Sequence, residues 1–435
     1  MGSTKQLVGN CRLKFCCATY KVDRHIPRDQ EPSGRMVGTS LSKDQLSRLL
    51  EHKYHCEGES ICDIIFKDFW QISSLYIPTS IAPNTLTLIG LFANVFALCL
   101  LLFYGAGFVT SLVFVICLFI YQTLDALDGL HARRTGSCSQ LGELFDHGCD
   151  ALSTCILPIC YFIIIGFDEW PVLMFVQYFL IQALYYVAHW RCYVTGILSF
   201  DRVGVTEGLV IGMVFGTITS ILGSSFWSIK DPLFGLELKV VQFLVFSVVM
   251  FLLSVQFADT ISQGGCGKYG TTVANTSVLF PVCPLALAFS LPILVAINSP
   301  VNLYHQSPFI FLLTFGIVLA KISQRLVIAH MTKSAIYLFD SVMFGAALLL
   351  INQYFSCPVS ELLVLWISLI FGAMNIIVYD ADVCIQLANF LNIYVFRIGR
   401  LSSARNSTKN TPVNSSIQGI THKNSHRIRN SSHNR

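Results

Sequence analysis

Four aspartates stand at regular spacing within one segment of the chain, and their arrangement indicates metal chemistry. Asp125 and Asp128 are three positions apart, and Asp146 and Asp150 are four positions apart. Each pair therefore lies on one face of a helix, about one turn apart. Four carboxylates in this frame repel one another unless positive charge lies among them, and divalent cations with oxygen ligands meet that need. We interpret the segment as a two-metal site for phosphate-transfer chemistry.

The composition indicates that these aspartates belong to a membrane protein. The 435 residues are 54% hydrophobic and only 12% charged, with a mean hydropathy of +0.61. A soluble protein has about twice that charged fraction. Apolar runs of about 20 residues, long enough to cross a bilayer, recur along most of the chain. We expect no cleaved signal peptide, and the 16 cysteines show no zinc-site or disulfide spacing, so they are expected to be free thiols.

Composition divides the chain into five segments. Residues 1–40 are polar and expected to be disordered, 41–80 are expected to form an amphipathic helix at the membrane interface, and 397–435 a disordered cytosolic tail. Between them we expect a catalytic core at 81–225 and additional transmembrane helices at 226–396. The fold class is thus all-α, a polytopic membrane protein. About ten transmembrane helices are expected, near 86–105, 108–128, 142–167, 171–191, 206–223, 238–262, 278–298, 307–328, 335–355 and 361–383.

The placement of positive charge predicts the orientation. With both termini in the cytosol, the cytosolic loops hold most of the arginines and lysines. The opposite loops carry Asp168, Glu169 and little positive charge beyond Lys230. This asymmetry agrees with the positive-inside rule. All four aspartates then lie at the cytosolic ends of the second and third spans, within reach of water-soluble substrates, and we expect no nucleic-acid partner.

The aspartates are part of a longer pattern. DxxDG is followed by AR, and then by a glycine and two aspartates at steps of four. This order resembles the signature of the CDP-alcohol phosphotransferase family. The matching residues are Asp125, Asp128, Gly129, Ala132, Arg133, Gly142, Asp146 and Asp150. The stretches APNTLT, LGELFDHGCD, AHWRCYVTG, GGCGKYGTT and AHMTKS are similar to those of eukaryotic choline/ethanolamine phosphotransferases, although Leu130-His131 stands where such relatives commonly have Lys-Gln.

The resemblance implies a particular reaction. Phosphocholine, and phosphoethanolamine as well, would pass from CDP-choline or CDP-ethanolamine to diacylglycerol, giving phosphatidylcholine or phosphatidylethanolamine and CMP. The four aspartates would bind two Mg²⁺ or Mn²⁺ ions, and these ions would stabilise the negative charge on the departing CMP. It also implies a homodimer in the endoplasmic reticulum or Golgi membrane, with the active site facing the cytosol.

Six residues are expected to contact the donor substrate: Asn84, Gly129, Ala132, Arg133, Gly142 and Lys268. Arg133 supplies a planar fork for phosphate, and the resemblance places Asn84 near the nucleotide. The glycines at 129 and 142 leave room for a nucleotide beside the backbone, or else allow close helix packing. Lys268 lies in a Gly-rich loop that either closes over phosphates or is a solvated connector.

The acceptor hydroxyl must lose a proton as it attacks phosphorus, and His147 is the first candidate for the base. An imidazole titrates near working pH, and His147 follows Asp146 directly. The resemblance implies that Glu207 holds this histidine. Asp150 is the competing base, and a structural His147 bonded to a backbone carbonyl is the third alternative.

Two other functions compete with this interpretation. One is a related enzyme with another headgroup or acceptor, and the other is a membrane cation transporter that uses intramembrane carboxylates as a cation path. A transporter would carry its charges near the bilayer midplane in broken helices or repeats, whereas here they cluster at one end. For a quaternary ammonium headgroup, Trp190 and Tyr193 form either a cage or part of the interfacial aromatic belt.

Overall fold

Helices make up nearly all of the regular structure in the computed structural model, which describes residues 41–199 and 203–400. Within this part of the chain there are thirteen α-helices and one pair of two-residue strands. In chain order the elements are α1 (Lys43–Glu51), β1 (Cys56–Glu57), α2 (Ile61–Tyr76), α3 (Pro83–Tyr104), α4 (Phe108–Thr135), α5 (Gln140–Ile165), α6 (Pro171–Thr195), β2 (Leu198–Ser199), α7 (Val205–Leu222), α8 (Leu238–Ser262), α9 (Val282–Asn298), α10 (Leu303–Gln306), α11 (Pro308–Met331), α12 (Phe344–Tyr354) and α13 (Glu361–Leu391).

The described residues confirm an all-α polytopic membrane protein. Eight helices are long and apolar enough to cross a bilayer: α3 to α8, α11 and α13. The two other predicted spans correspond to shorter apolar helices, α9 with 17 residues and α12 with 11. At 1.5 Å per residue an 11-residue helix reaches only about half of the hydrocarbon core. The predictions for 1–40, and for the tail beyond residue 400, fall outside the described residues.

The segment 41–80 differs from the single amphipathic helix that was expected. It contains two helices, α1 and α2, because the sequence places a second start signal between them. Ser60 caps α2 by accepting from the backbone N–H of Asp63, whose carboxylate in turn accepts from the N–H of Ser60. Along α2, Trp70 is buried while Ile65 and Leu75 are exposed. One face of α2 is thus apolar and uncovered, as an interfacial helix requires.

Helices α5 and α11 form the centre of the described structure. In their most apolar 18-residue segments, 72% of α5 and 83% of α11 is buried, against 17–39% for the other six candidate spans. Buried aromatic and aliphatic side chains of both helices, such as Phe162 and Phe315, belong to one continuous core. A residue on α5 is therefore surrounded by protein, and a polar one there must find partners or a function.

Short connections place the two pairs of aspartates together. Helix α4 ends at Gly136, which adopts a left-handed conformation with φ of 64° that glycine tolerates without strain. Helix α5 begins after Ser139, whose hydroxyl oxygen accepts from the backbone N–H of Gly142 at 3.1 Å. The end of α4 thus adjoins the start of α5. Helix α3 packs against both, and Asn94 on α3 donates to Ser153 on α5 at 3.0 Å.

Candidate active site

The four aspartates converge where α4 ends and α5 begins. Side-chain oxygens of Asp125, Asp128 and Asp146 all lie within 4.8 Å of one another. A second group of three joins Asp146 and Asp150 with a ring nitrogen of His147, again within 4.8 Å. Asp146 belongs to both groups, so two helices build one continuous acidic cluster with His147 at its edge.

Hydrogen bonds hold two of these carboxylates in place and leave another open. Thr87 on α3 donates to Oδ2 of Asp128 at 2.5 Å, and Tyr121 on α4 donates to Oδ1 of Asp150 at 2.8 Å. Asp128 is only 8% exposed. Oδ1 of Asp146 is buried and has no hydrogen-bond partner among the described residues. A buried carboxylate oxygen without a donor needs a positive ligand.

This donor set fits hard divalent cations. Mg²⁺ and Mn²⁺ prefer carboxylate oxygens, and several carboxylates around one centre supply both the ligands and the compensating charge. Asp146 belongs to both groups, and a bound ion would satisfy its unpartnered oxygen. Each pair is presented from adjacent turns of a rigid helix, so little rearrangement is needed to bind an ion.

Residues predicted to contact the donor lie on the helices around this cluster. Arg133 and Gly129 are one turn apart on α4, and a Cβ built on Gly129 would lie 3.4 Å from Nη1 of Arg133. The missing side chain therefore leaves space beside the guanidinium. A Cβ on Gly142 would lie 3.6 Å from Oδ1 of Asn84, whose Nδ2 donates to the carbonyl oxygen of Val395 at 3.0 Å. Ala132 is half-buried on α4.

Lys268 lies on a different part of the protein. It begins a single turn, Lys268–Gly270, in the loop between α8 and α9, and its side chain is exposed. The loop itself is fixed to the end of α6, because Cys266 N–H donates to the carbonyl oxygen of Val194 at 3.0 Å and Val273 N–H to that of Tyr193 at 3.1 Å. The described contacts do not join Lys268 to the acidic cluster.

His147 is surrounded by aromatic rings. Its ring centroid is 5.3 Å from that of His189, edge to face, and 6.4 Å from that of Tyr54. The backbone carbonyl of His147 accepts from the hydroxyl of Tyr185 at 2.9 Å. The side chain borders two small cavities, one lined by histidines and the other, between α5, α11 and α13, mostly by apolar residues. The imidazole thus has a small cavity on each of two sides.

Glu207 does not contact His147 among the described residues. Its Oε1 accepts from the backbone N–H of Cys62 at 2.8 Å, and its Oε2 accepts from that of Gly204 at 2.7 Å. Both oxygens are therefore used in capping α7 and in joining it to α2. That Glu207 supports His147 stays a prediction.

The aromatic cage suggested at Trp190 and Tyr193 is not open to a ligand. Trp190 is 8% exposed and its Nε1 donates to the carbonyl oxygen of Val278 at 2.7 Å. Tyr193 is fully buried and its hydroxyl donates to the carbonyl oxygen of Ser334 at 2.9 Å. Both rings act in joining α6 to the neighbouring loops.

Sequence reasoning missed several supporting residues. His131, the departure from the family pattern, is fully buried and its Nε2 donates to the carbonyl oxygen of Ile81 at 2.9 Å. Arg134 donates to the carbonyl oxygens of Ser74 and Ile77, and so joins α4 to the end of α2. The spacing of His131 and Arg134, three positions apart on one helix face, is the signal that could have found them.

Gln324 on α11 is a second residue that the sequence did not indicate. Its Nε2 donates to the carbonyl oxygen of Gly148 and to Oδ2 of Asp380, at 3.1 Å in each case. These bonds join α11, α5 and α13 directly behind the acidic cluster. Nothing local in the sequence connects three positions so far apart.

The chain is a helical membrane protein in which the end of α4 and the start of α5 bring four carboxylates together beside a histidine. Comparison with known families agrees with this site. Residues 80–301, about half of the chain, match the family described as CDP-alcohol phosphatidyltransferase. The chain belongs to this family, and it is therefore a transferase of phospholipid synthesis embedded in a membrane.

Curated relatives extend the similarity over most of the chain. Cholinephosphotransferase 1 of Rattus norvegicus is 40% identical over 370 residues, which cover 83% of this chain and 93% of the relative. The Homo sapiens protein of the same name is 37% identical, covering 83% and 91%. An uncharacterised CDP-alcohol phosphatidyltransferase class-I family protein 2 of Dictyostelium discoideum is 28% identical, covering 82% and 88%. The similarity thus reaches beyond the family match itself.

Proposed function

We propose that this protein transfers phosphocholine, and phosphoethanolamine as well, from the CDP-alcohol to diacylglycerol, giving phosphatidylcholine or phosphatidylethanolamine and CMP. The observation that carries the proposal is the acidic cluster with a ring nitrogen of His147 within 4.8 Å of Asp146 and Asp150. Relatives named cholinephosphotransferase 1, similar over more than four-fifths of this chain, support choline as the headgroup.

Two Mg²⁺ or Mn²⁺ ions complete the proposed site. Asp125, Asp128 and Asp146 would hold one ion, and Asp146 and Asp150 the other. Ions bound there would neutralise the diphosphate of the donor and the charge that develops on CMP. The chain fixes the geometry, since Thr87 and Tyr121 orient two of the carboxylates by hydrogen bonds.

The remaining donor contacts are proposed along α3, α4 and α5. Arg133 would bind a phosphate oxygen, with Gly129 and Ala132 leaving space beside it. Asn84 and Gly142 are neighbours across α3 and α5, and would contact the nucleoside end of the donor. Lys268 is exposed on its loop, and we keep it as a more distant phosphate contact that requires the loop to approach the cluster.

His147 is the proposed base. As the acceptor oxygen bonds to the β-phosphorus, the bond from that phosphorus to the bridging oxygen breaks, and CMP leaves with the bridging oxygen. The proton of the acceptor hydroxyl passes to the imidazole. Asp150 is the alternative base, although its Oδ1 already accepts from Tyr121. Glu207 would support His147 only after exchanging one of its two backbone contacts.

The proposed setting is an endoplasmic reticulum or Golgi membrane, with the cluster facing the cytosol and a homodimer as the working form. Charge supports the orientation: Arg133 and Arg134 end α4 beside the cluster, whereas Asp168 and Glu169 follow α5 at its other end. A cytosolic cluster meets a water-soluble donor, and the lipid acceptor reaches it from within the bilayer.

Side-by-side turnover tests the proposal. Purified protein with diacylglycerol and Mg²⁺ is given CDP-choline, CDP-ethanolamine or CDP-inositol, and CMP and the lipid product are both measured. We expect phosphatidylcholine and phosphatidylethanolamine, each in equal amount to CMP. The proposal would be contradicted if the protein used neither CDP-choline nor CDP-ethanolamine, or if it transferred the headgroup to an acceptor other than diacylglycerol.

A further inference from the structure

A cavity beside His147, the proposed base, is lined by further ionisable and aromatic side chains that the proposed reaction does not use. We call it the histidine cavity, and six of its lining residues carry the argument: His52, Tyr54, Glu143, His147, His189 and His330. They come from α5, α6 and α11, and from the strap of residues 52–57 that follows α1. The strap precedes residue 80, where the family match begins.

One buried polar atom of this cavity is an acceptor that makes no hydrogen bond within the described residues. Nδ1 of His189 lies 2.9 Å from the carbonyl oxygen of Tyr185, and since a carbonyl only accepts, Nδ1 must carry the proton. Nε2 of His189 therefore carries a lone pair, and it is buried, in a residue only 8% exposed, with no partner among the residues that the structure describes. Glu143 adds a carboxylate whose side chain is 13% exposed. A ligand with positive charge or N–H groups suits both.

Ring faces complete the lining. The rings of His147 and His189 meet edge to face at 5.3 Å, and those of His52 and His330 at 5.5 Å. Tyr54 lies 6.4 Å from His147, centroid to centroid. A tyrosine ring near a largely buried carboxylate suits an alkylammonium group, including one with no N–H at all.

His52 now occupies the place beside Glu143. Its Nε2 lies 2.9 Å and 3.1 Å from the two carboxylate oxygens. The remaining space, about 20 Å³, holds no more than a water molecule. A bound ammonium must therefore replace the imidazole at Glu143. The strap pairs with the rest of the described structure over two residues, at 56–57 and 198–199, and so short a pairing opens more readily than a long one.

We propose that the histidine cavity binds the ammonium group of the donor headgroup, with Glu143 as the counter-charge and Tyr54 as a ring face. This rests on the proposed function and names its headgroup site. The position agrees: His147 borders the cavity and also lies within 4.8 Å of Asp146 and Asp150. If ions at those carboxylates hold the diphosphate of the donor, the short alcohol arm on its β-phosphorus lies within reach of this cavity.

A neutral donor separates this proposal from a structural role for Glu143. The two donors are CDP-choline and its uncharged carbon isostere, CDP-3,3-dimethylbutanol. The wild-type protein is expected to favour CDP-choline in kcat/KM by about tenfold or more. Glu143→Gln keeps the shape, removes the charge and should abolish most of that preference, with the KM for diacylglycerol unchanged. Glu51→Gln, the same change on the exposed face of α1, should keep the preference.

His189 provides a second readout. Ethanolamine brings three N–H donors that choline lacks, so the lone pair on Nε2 of His189 matters for ethanolamine alone. His189→Phe keeps a ring and removes the acceptor. We expect the ratio of kcat/KM for CDP-choline to that for CDP-ethanolamine to rise about tenfold. An unchanged ratio would contradict this part of the assignment.

The outcomes separate the two proposals. If wild-type protein releases no CMP from CDP-choline, the proposed function fails. If it uses CDP-choline and the neutral isostere equally, or if Glu143→Gln keeps the full preference, the headgroup site is wrong while the function stands. Should Glu143→Gln be inactive with both donors, Tyr54→Leu decides: a preference reduced severalfold supports the site, and an unchanged one overturns it.

Discussion

The phenol of Tyr121 donates a hydrogen bond of 2.8 Å to Oδ1 of Asp150, which joins α4 to α5 inside the acidic cluster. Tyr121 stands one turn before Asp125 on the same helix, so a single helix supplies two carboxylates and the donor that orients a third. Its ring is held by the closeness of α3, since a Cβ on Gly90 would lie 3.3 Å from Cδ2 of Tyr121.

Tyr121→Phe should weaken metal binding. The variant removes the O–H that orients Asp150, and a hydrogen bond to a carboxylate contributes about 1.5–3 kcal/mol. We expect the Mg²⁺ concentration for half-maximal CMP release to rise about tenfold. Tyr161→Phe is the matched control, because the Tyr161 hydroxyl is buried on α5 and has no hydrogen-bond partner within residues 41–199 and 203–400. Equal metal dependence in both variants would show that the bond does not orient a metal ligand.

His147→Ala should abolish most of the activity. General-base catalysis contributes about 10²–10⁴-fold to a rate, and we expect a loss in kcat of that size with little change in the KM for the donor. His305→Ala, an exposed histidine on α10, should behave as wild type. Full activity of His147→Ala would transfer the role of base to Asp150.

The adjacent arginines should separate substrate binding from stability. Arg134→Lys loses the fork that donates to the carbonyl oxygens of Ser74 and Ile77 and should destabilise the fold by about 1–3 kcal/mol. We expect a lower Tm in detergent. Arg133→Lys should instead raise the KM for the CDP-alcohol and lower Tm by less than Arg134→Lys does. If Arg134→Lys raised the KM and Arg133→Lys caused the larger loss of Tm, Arg134 would be the substrate contact and Arg133 the structural residue.

Removing the metal should lower stability. Without ions the carboxylates of Asp125, Asp128, Asp146 and Asp150 repel one another within a buried cluster. Chelation should therefore lower Tm, and added Mn²⁺ should raise it in a concentration-dependent way. If neither chelation nor added Mn²⁺ changed Tm, the folded cluster would bind no ion.

The sequence predicted what depends on local spacing. The aspartate pairs fall on α4 and α5, because helix periodicity is read over a few residues. The four carboxylates then meet because the linker between α4 and α5 is short. Family resemblance added the roles proposed for Asn84 and His147.

The sequence could not predict contacts that depend on tertiary packing. His52 meets Glu143 across 91 positions, and Gln324 joins Gly148 to Asp380 across three helices. No periodicity in one helix indicates which residue of another will face it. The same limit applies to Glu207, whose carboxylate caps its own helix through Gly204 rather than contacting His147.

Asp128→Asn tests the central claim most directly. The substitution keeps the acceptor for Thr87 and the volume of the side chain, and it removes one charge from the cluster. Purified variant and wild type receive CDP-choline, diacylglycerol and Mg²⁺, and CMP release is measured. The account predicts a loss of at least about 100-fold, since the charge on the departing group is no longer compensated. Near-normal release would contradict the assignment of these carboxylates as metal ligands.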